Sequence, residues 1–94
     1  MKIKEKIGVV GVGNMGAAIL EGLFRKKIAE PSQVWVRDKI QEKAAEFAKK
    51  WGTHLAPSAA DLAGRVEVIL LAVKPQDLES MGSELRPFLK KHVL

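Results

Sequence analysis

Six residues, Gly11-Val12-Gly13-Asn14-Met15-Gly16, constrain this chain more than any others. They follow a short apolar run, Ile7 to Val10, and lead into a stretch with apolar residues at helical spacing. The run reads as a strand buried on both faces, as parallel strands are. Met15, Ile19 and Leu23, with Ala18 and Phe24 beside them, predict a helix from Asn14 to Lys27. A G-x-G-x-x-G pattern alone is weak. Between a buried strand and a helix it has the context of a dinucleotide-binding turn. Gly11 allows the tight turn, Gly13 has no side chain to hold a pyrophosphate off the backbone, and Gly16 lets the helix pack closely on the sheet. The helix N-terminus adds free N–H groups and a partial positive charge. The competing reading is a plain glycine turn.

The rest of the chain repeats this alternation. Ala29 to Ser32 reads as a loop and Val34 to Val36 as a second strand. Ala44, Phe47, Ala48 and Trp51 mark a second helix with Gly52 as its C-terminal cap. Thr53 to Ala56 reads as a short third strand. Ser58 to Asp61 has the form of a capping box with Asp in place of Glu, opening a helix that runs to about Ala63 and ends at Gly64. Val66 to Val73 is the strongest strand, with Glu67 near its start able to reach solvent. Leu78, Met81 and Leu85 share one face of a last helix, interrupted at Pro87.

Strands alternating with helices predict an α/β fold: a Rossmann-type doubly wound parallel sheet, its first half ordered 3-2-1-4. Residues 1–94 read as one dinucleotide-binding domain. His92-Val93-Leu94 looks like the opening of a fifth strand, so the expectation is a chain truncated before or at that strand.

Composition removes other classes. A chain of 94 residues supports one core. With 47% hydrophobic and 29% charged residues it is ordinary for a globular domain, and no apolar run approaches a membrane span. It has no cysteine, which excludes thiolate chemistry, and a charged start in place of a signal peptide; the cytoplasm is the expected location. The net charge of +5 does not imply nucleic acid. Arg25, Lys26, Lys27, Lys49, Lys50, Lys90 and Lys91 close predicted helices, where cations complement the helix dipole. The remaining basic residues form no aromatic-interleaved patch.

Two further segments carry candidate chemistry. Arg37-Asp38-Lys39 ends the second strand, and Asp38 lies 22 residues after Gly16 (38 − 16). An acid about 20 residues on binds the adenosine ribose hydroxyls and favours NAD(H), whereas Arg37 or Lys39 would pair with the extra phosphate of NADP(H). The competing reading has Asp38 only capping the second helix. Ala72-Val73-Lys74-Pro75 ends the fourth strand, at the carboxyl edge where open α/β sheets bind ligands. Pro75 forces Lys74 into an extended conformation; by spacing alone, a ligand-facing lysine and a solvated one are equally supported. Neither His54 nor His92 has an evident carboxylate or serine partner, and no metal-ligand cluster exists, so no catalytic residue is assigned.

Together, Gly-Val-Gly-Asn-Met-Gly after the first strand and Leu71-Ala72-Val73-Lys74-Pro75-Gln76 at the end of the fourth make the chain resemble pyrroline-5-carboxylate reductases, and Gln33 to Val36 is similar to that family's second strand. The resemblance spans essentially the whole chain. It implies an NADPH-dependent reductase that makes proline from 1-pyrroline-5-carboxylate, with NADH as the alternative cofactor. It further implies a following helical domain, not in this chain, that forms a homo-oligomer and completes the substrate site, so that these 94 residues alone are expected to be inactive. Carried over, Gly11 to Gly16 hold the pyrophosphate, Arg37 to Lys39 meet the adenosine, and Ala72 to Pro75 line the nicotinamide side. The chain departs from the family in two places. Arg37-Asp38-Lys39 stands where many members have small polar residues and an arginine, and alanine stands near Ala59 where some have asparagine. Two rivals remain: a related imine or hydroxy-acid reductase, and a non-catalytic NAD(P)-binding module.

Overall fold

The structure, a computed structural model, describes residues 2–72. Strand β1 (Ile7–Val10) is buried at all four positions, which requires cover on both faces of the sheet. It lies between β2 (Val34–Arg37) and β4 (Val68–Leu71), parallel to both, and β3 (His54–Leu55) adds parallel outside β2. The order is β3-β2-β1-β4, as the sequence predicts. Helices α1 (Asn14–Arg25) and α2 (Gln41–Trp51) lie on the face where Ile7, Val9, Val34 and Val36 meet Leu20, Ala44 and Phe47. Phe24 and Trp51 join these helices with ring centroids 5.4 Å apart. Helix α3 (Ala59–Arg65) covers the opposite face with Ala59, Leu62 and Ala63 against Val10, Val66 and Ile69. Gly8 keeps α3 close: a Cβ there would overlap the Leu62 side chain.

Several boundaries differ from the sequence expectation, each for a local reason. Helix α1 ends at Arg25, because Lys27 takes a left-handed φ of 56°. The buried face of α1 is Gly16 and Leu20, while Met15 and Ile19 are exposed. Close packing of Gly16 against Gly11 fixes the rotation of the helix and turns Met15 outward. Pro31–Gln33 is a 3₁₀ turn inside the expected loop. Its Gln33 accepts from the Glu30 N–H (2.9 Å) and donates to the carbonyls of Ile3 (2.8 Å) and Glu5 (2.7 Å), tying down the N-terminal segment.

Helix α3 passes through Gly64 to Arg65. Ser58 Oγ accepts from the Asp61 N–H (3.0 Å), but the Asp61 carboxylate pairs with Arg65 (2.9 Å) one turn on. Aspartate therefore supplies an i,i+4 pair here, while Ser58 caps the helix. Strand β4 begins at Val68, later than expected. Val66 is committed to the α3 core, and Glu67 accepts from the Lys6 N–H (2.6 Å). The last helix, the fifth strand and Val73, Lys74 and Pro75 lie outside the described residues.

Candidate cofactor-binding site

The site begins where β1 leaves the sheet. Gly11 has φ 101°, a left-handed conformation that a side chain would strain, and its N–H donates to the Arg37 carbonyl (2.7 Å). A Cβ on Gly16 would overlap the Gly11 carbonyl oxygen and lie 3.2 Å from Ala72 Cβ. Gly16 thus lets α1 start directly against both the turn and the end of β4. Ala72 in turn donates to the Val10 carbonyl (2.8 Å), which fixes the residue after β4 beside the turn.

Gly13 behaves differently. It is the N-cap of α1, and among the described residues a Cβ there would meet nothing within 4 Å. Its lack of a side chain answers no packing need among the described residues. It leaves open space over the start of a twelve-residue helix whose N-cap makes no side-chain hydrogen bond. First-turn amides without a side-chain cap suit an anion, so this turn fits a diphosphate. Val12, by contrast, is 7% exposed and packs into the α1/α2 core, while Asn14 and Met15 are exposed.

The second part of the site is the turn after β2, which the register of β1 with β2 sets beside the first. Asp38 is buried, and each of its carboxylate oxygens accepts a backbone N–H: Oδ2 from Val12 and Oδ1 from Ile40, both at 2.9 Å. The N-cap of α2 is Ile40, so Asp38 forms a local turn before the helix and does not cap it. Arg37 is half-buried. Its Nη1 donates to the Pro57 carbonyl (3.1 Å), and its Nε is buried without a hydrogen-bond partner among the described residues. Lys39 is exposed.

Arg37 lines an open hollow of ≈ 460 Å³ with Gln41, Leu55, Ala56 and Pro57. The sequence did not point to this hollow, because its wall comes from the β3–α3 connection, whose distance from Arg37 is set by the sheet order. Pro57 ahead of a capping serine was the available signal. Ala59 is fully buried in the α3 core and presents no side chain to the hollow's surface. His54 stacks on Trp35 (centroids 4.2 Å apart) and lies 2.9 Å from the Ser32 carbonyl, far along β2 from the glycine turn. Among the described residues no group of three or more His, Asp or Glu is placed to hold a metal, and no helix is long and apolar enough to cross a membrane.

The chain is 37% identical over 92 residues to the pyrroline-5-carboxylate reductase of Escherichia coli (strain K12), covering 98% of this chain and 34% of that protein. Among solved structures, it superposes on a pyrroline-5-carboxylate reductase from Coxiella burnetii with a TM-score of 0.85 and 28% identity, covering 97% of this chain and 34% of the other. An imine reductase from Myxococcus stipitatus in complex with NADP+ gives a TM-score of 0.66 at 25% identity, over 86% of this chain and 26% of the other. The chain thus spans about a third of the length of the relatives it matches. Residues 6–94 match the model of the family described as NADP oxidoreductase coenzyme F420-dependent, and the chain belongs to that family.

Proposed function

We propose that this chain is the dinucleotide-binding domain of an NADPH-dependent reductase that transfers hydride to the C=N bond of 1-pyrroline-5-carboxylate, giving proline. The observation that carries the proposal is the bare turn at the start of α1, with open space over Gly13 and no side-chain cap. The backbone from Gly11 to Gly16 seats the diphosphate. Val12 serves from the buried side as a core anchor, and Asn14 and Met15 contribute first-turn amides. Arg37 and Lys39 meet the adenosine end, and Arg37 lines the hollow beside it. NADPH is favoured over NADH because two cations flank the end of β2 and pair with a 2′-phosphate. Ala72 to Pro75 line the nicotinamide side, and Ala72 is held at the turn through Val10.

Once bound, the nicotinamide supplies the hydride; the domain supplies orientation and electrostatics. The substrate site and the oligomer interface belong to a helical region beyond this chain, and the protein works in the cytoplasm. The likeness to pyrroline-5-carboxylate reductases along 98% of the chain supports the substrate class. A related imine reductase is the second reading, favoured by the 25% identity to the Myxococcus stipitatus enzyme. A steady-state assay with NADPH of the protein that carries this chain decides between them. Turnover of pyrroline-5-carboxylate well above that of other cyclic imines supports the first reading, and turnover of other imines alone removes it. The chain by itself is expected to bind NADPH saturably and to reduce nothing.

A further inference from the structure

We infer that Asp38 is a positioning residue that clamps the glycine-rich turn, and that it does not read the adenosine ribose. The inference rests on the dinucleotide reading of the turn.

An acid at the end of β2 is expected to offer its oxygens to two ribose hydroxyls. Asp38 has the right place in the sequence but a different set of partners. One oxygen holds Val12, inside the glycine motif, and the other holds Ile40, two residues on. The residue is only 9% exposed, so little of the carboxylate faces a ligand. Val12 is itself buried, and the Asp38 carboxylate is the acceptor of its amide. Burying both groups is tolerable because each satisfies the other.

The spacing of 22 residues has a topological cause. Val10 pairs with Arg37 in the sheet, so the residue after Arg37 falls beside the residues after Val10. An acid there meets the turn whether or not a ribose is present. Two consequences follow. The Val12 amide is taken, which leaves the diphosphate the amides from Gly13 to Gly16. Discrimination between NADPH and NADH passes to Arg37 and Lys39.

The test uses the full chain with D38A and D38N, reading Val12 amide exchange without ligand and the Kd of NADPH and of NADH. The clamp requires Val12 exchange to rise about tenfold or more in D38A, as expected when a charge-assisted bond is lost. Both Kd values should then rise together, by about tenfold, with their ratio changed less than about threefold, since 1.4 kcal/mol is one decade. D38N keeps one acceptor oxygen and should fall between wild type and D38A in Val12 exchange; if D38A does not fold, D38N carries the comparison. Unchanged Val12 exchange, with the Kd ratio moved tenfold or more towards NADPH, overturns the inference and restores the ribose-reading acid. Wild type that binds neither nucleotide refutes the dinucleotide reading, while Val12 exchange still decides whether the clamp exists.

Discussion

The turn from β1 to α1 and the turn from β2 to α2 lie side by side at the carboxyl edge of the sheet, joined where Gly11 N–H meets the Arg37 carbonyl and Val12 N–H meets Asp38. In the first turn, missing side chains matter: a Cβ is excluded at Gly16 by backbone, strained at Gly11 by φ, and unopposed at Gly13. In the second, the side chains of Arg37 and Asp38 make the contacts, one reaching Pro57 and the other holding both turns. A backbone site has a fixed shape and treats all dinucleotides alike. A side-chain site can be retuned by substitution without refolding the sheet. On the proposed reading, shared cofactor binding therefore belongs to the first turn and cofactor choice to the second.

The sharpest way to break this contrast is G16A. The added methyl would overlap a backbone oxygen, which cannot swing aside, so a loss of about 3 kcal/mol or more in unfolding free energy is expected, at the upper end for overpacking. A loss under about 1 kcal/mol in denaturant titration would show that the turn is not rigid.

D38A comes next. It leaves the buried Val12 N–H without its acceptor, at a cost of about 1–3 kcal/mol by the same measurement. A neutral result would mean that the Asp38 carboxylate does not hold the two turns together. R37A should disturb folding least, because the guanidinium makes one bond to Pro57 near the surface, and should act on binding. Fluorescence titration should show the NADPH-over-NADH preference falling by about tenfold at low salt and by less at high salt, as screening predicts. An unchanged ratio would leave Lys39 as the phosphate partner.

The same contrast explains what could be read from the sequence. The glycine turn was legible because its demand is local: Gly11 and Gly16 cannot carry a Cβ, and the motif lies between a buried strand and a helix. The order 3-2-1-4 was legible because right-handed crossovers allow few arrangements. The rotation of α1 was not. Apolar spacing grouped Met15 with Ile19, but packing of Gly16 on Gly11 sets Leu20 inward instead. The partners of Asp38 were not legible either: its position fits a ribose reader and a clamp, and what favours the clamp is that Val12 and Ile40 occupy its two oxygens, contacts that depend on the register of β1 with β2. Gly64 read as a helix stop. It sits in open space within α3, and the chain leaves the helix only when Val66 enters the core.

The most direct measurement is an NMR titration of the chain and of G13A with NADPH. A diphosphate seated on the bare turn moves the amide resonances of Gly13, Asn14, Met15 and Gly16 in the wild type. G13A, whose methyl meets no atom of the described residues, should keep its stability within about 0.5 kcal/mol and bind about tenfold or more weakly. Saturating NADPH that leaves those four amides unmoved, or G13A that binds as tightly as wild type, would contradict a phosphate seat at the start of α1.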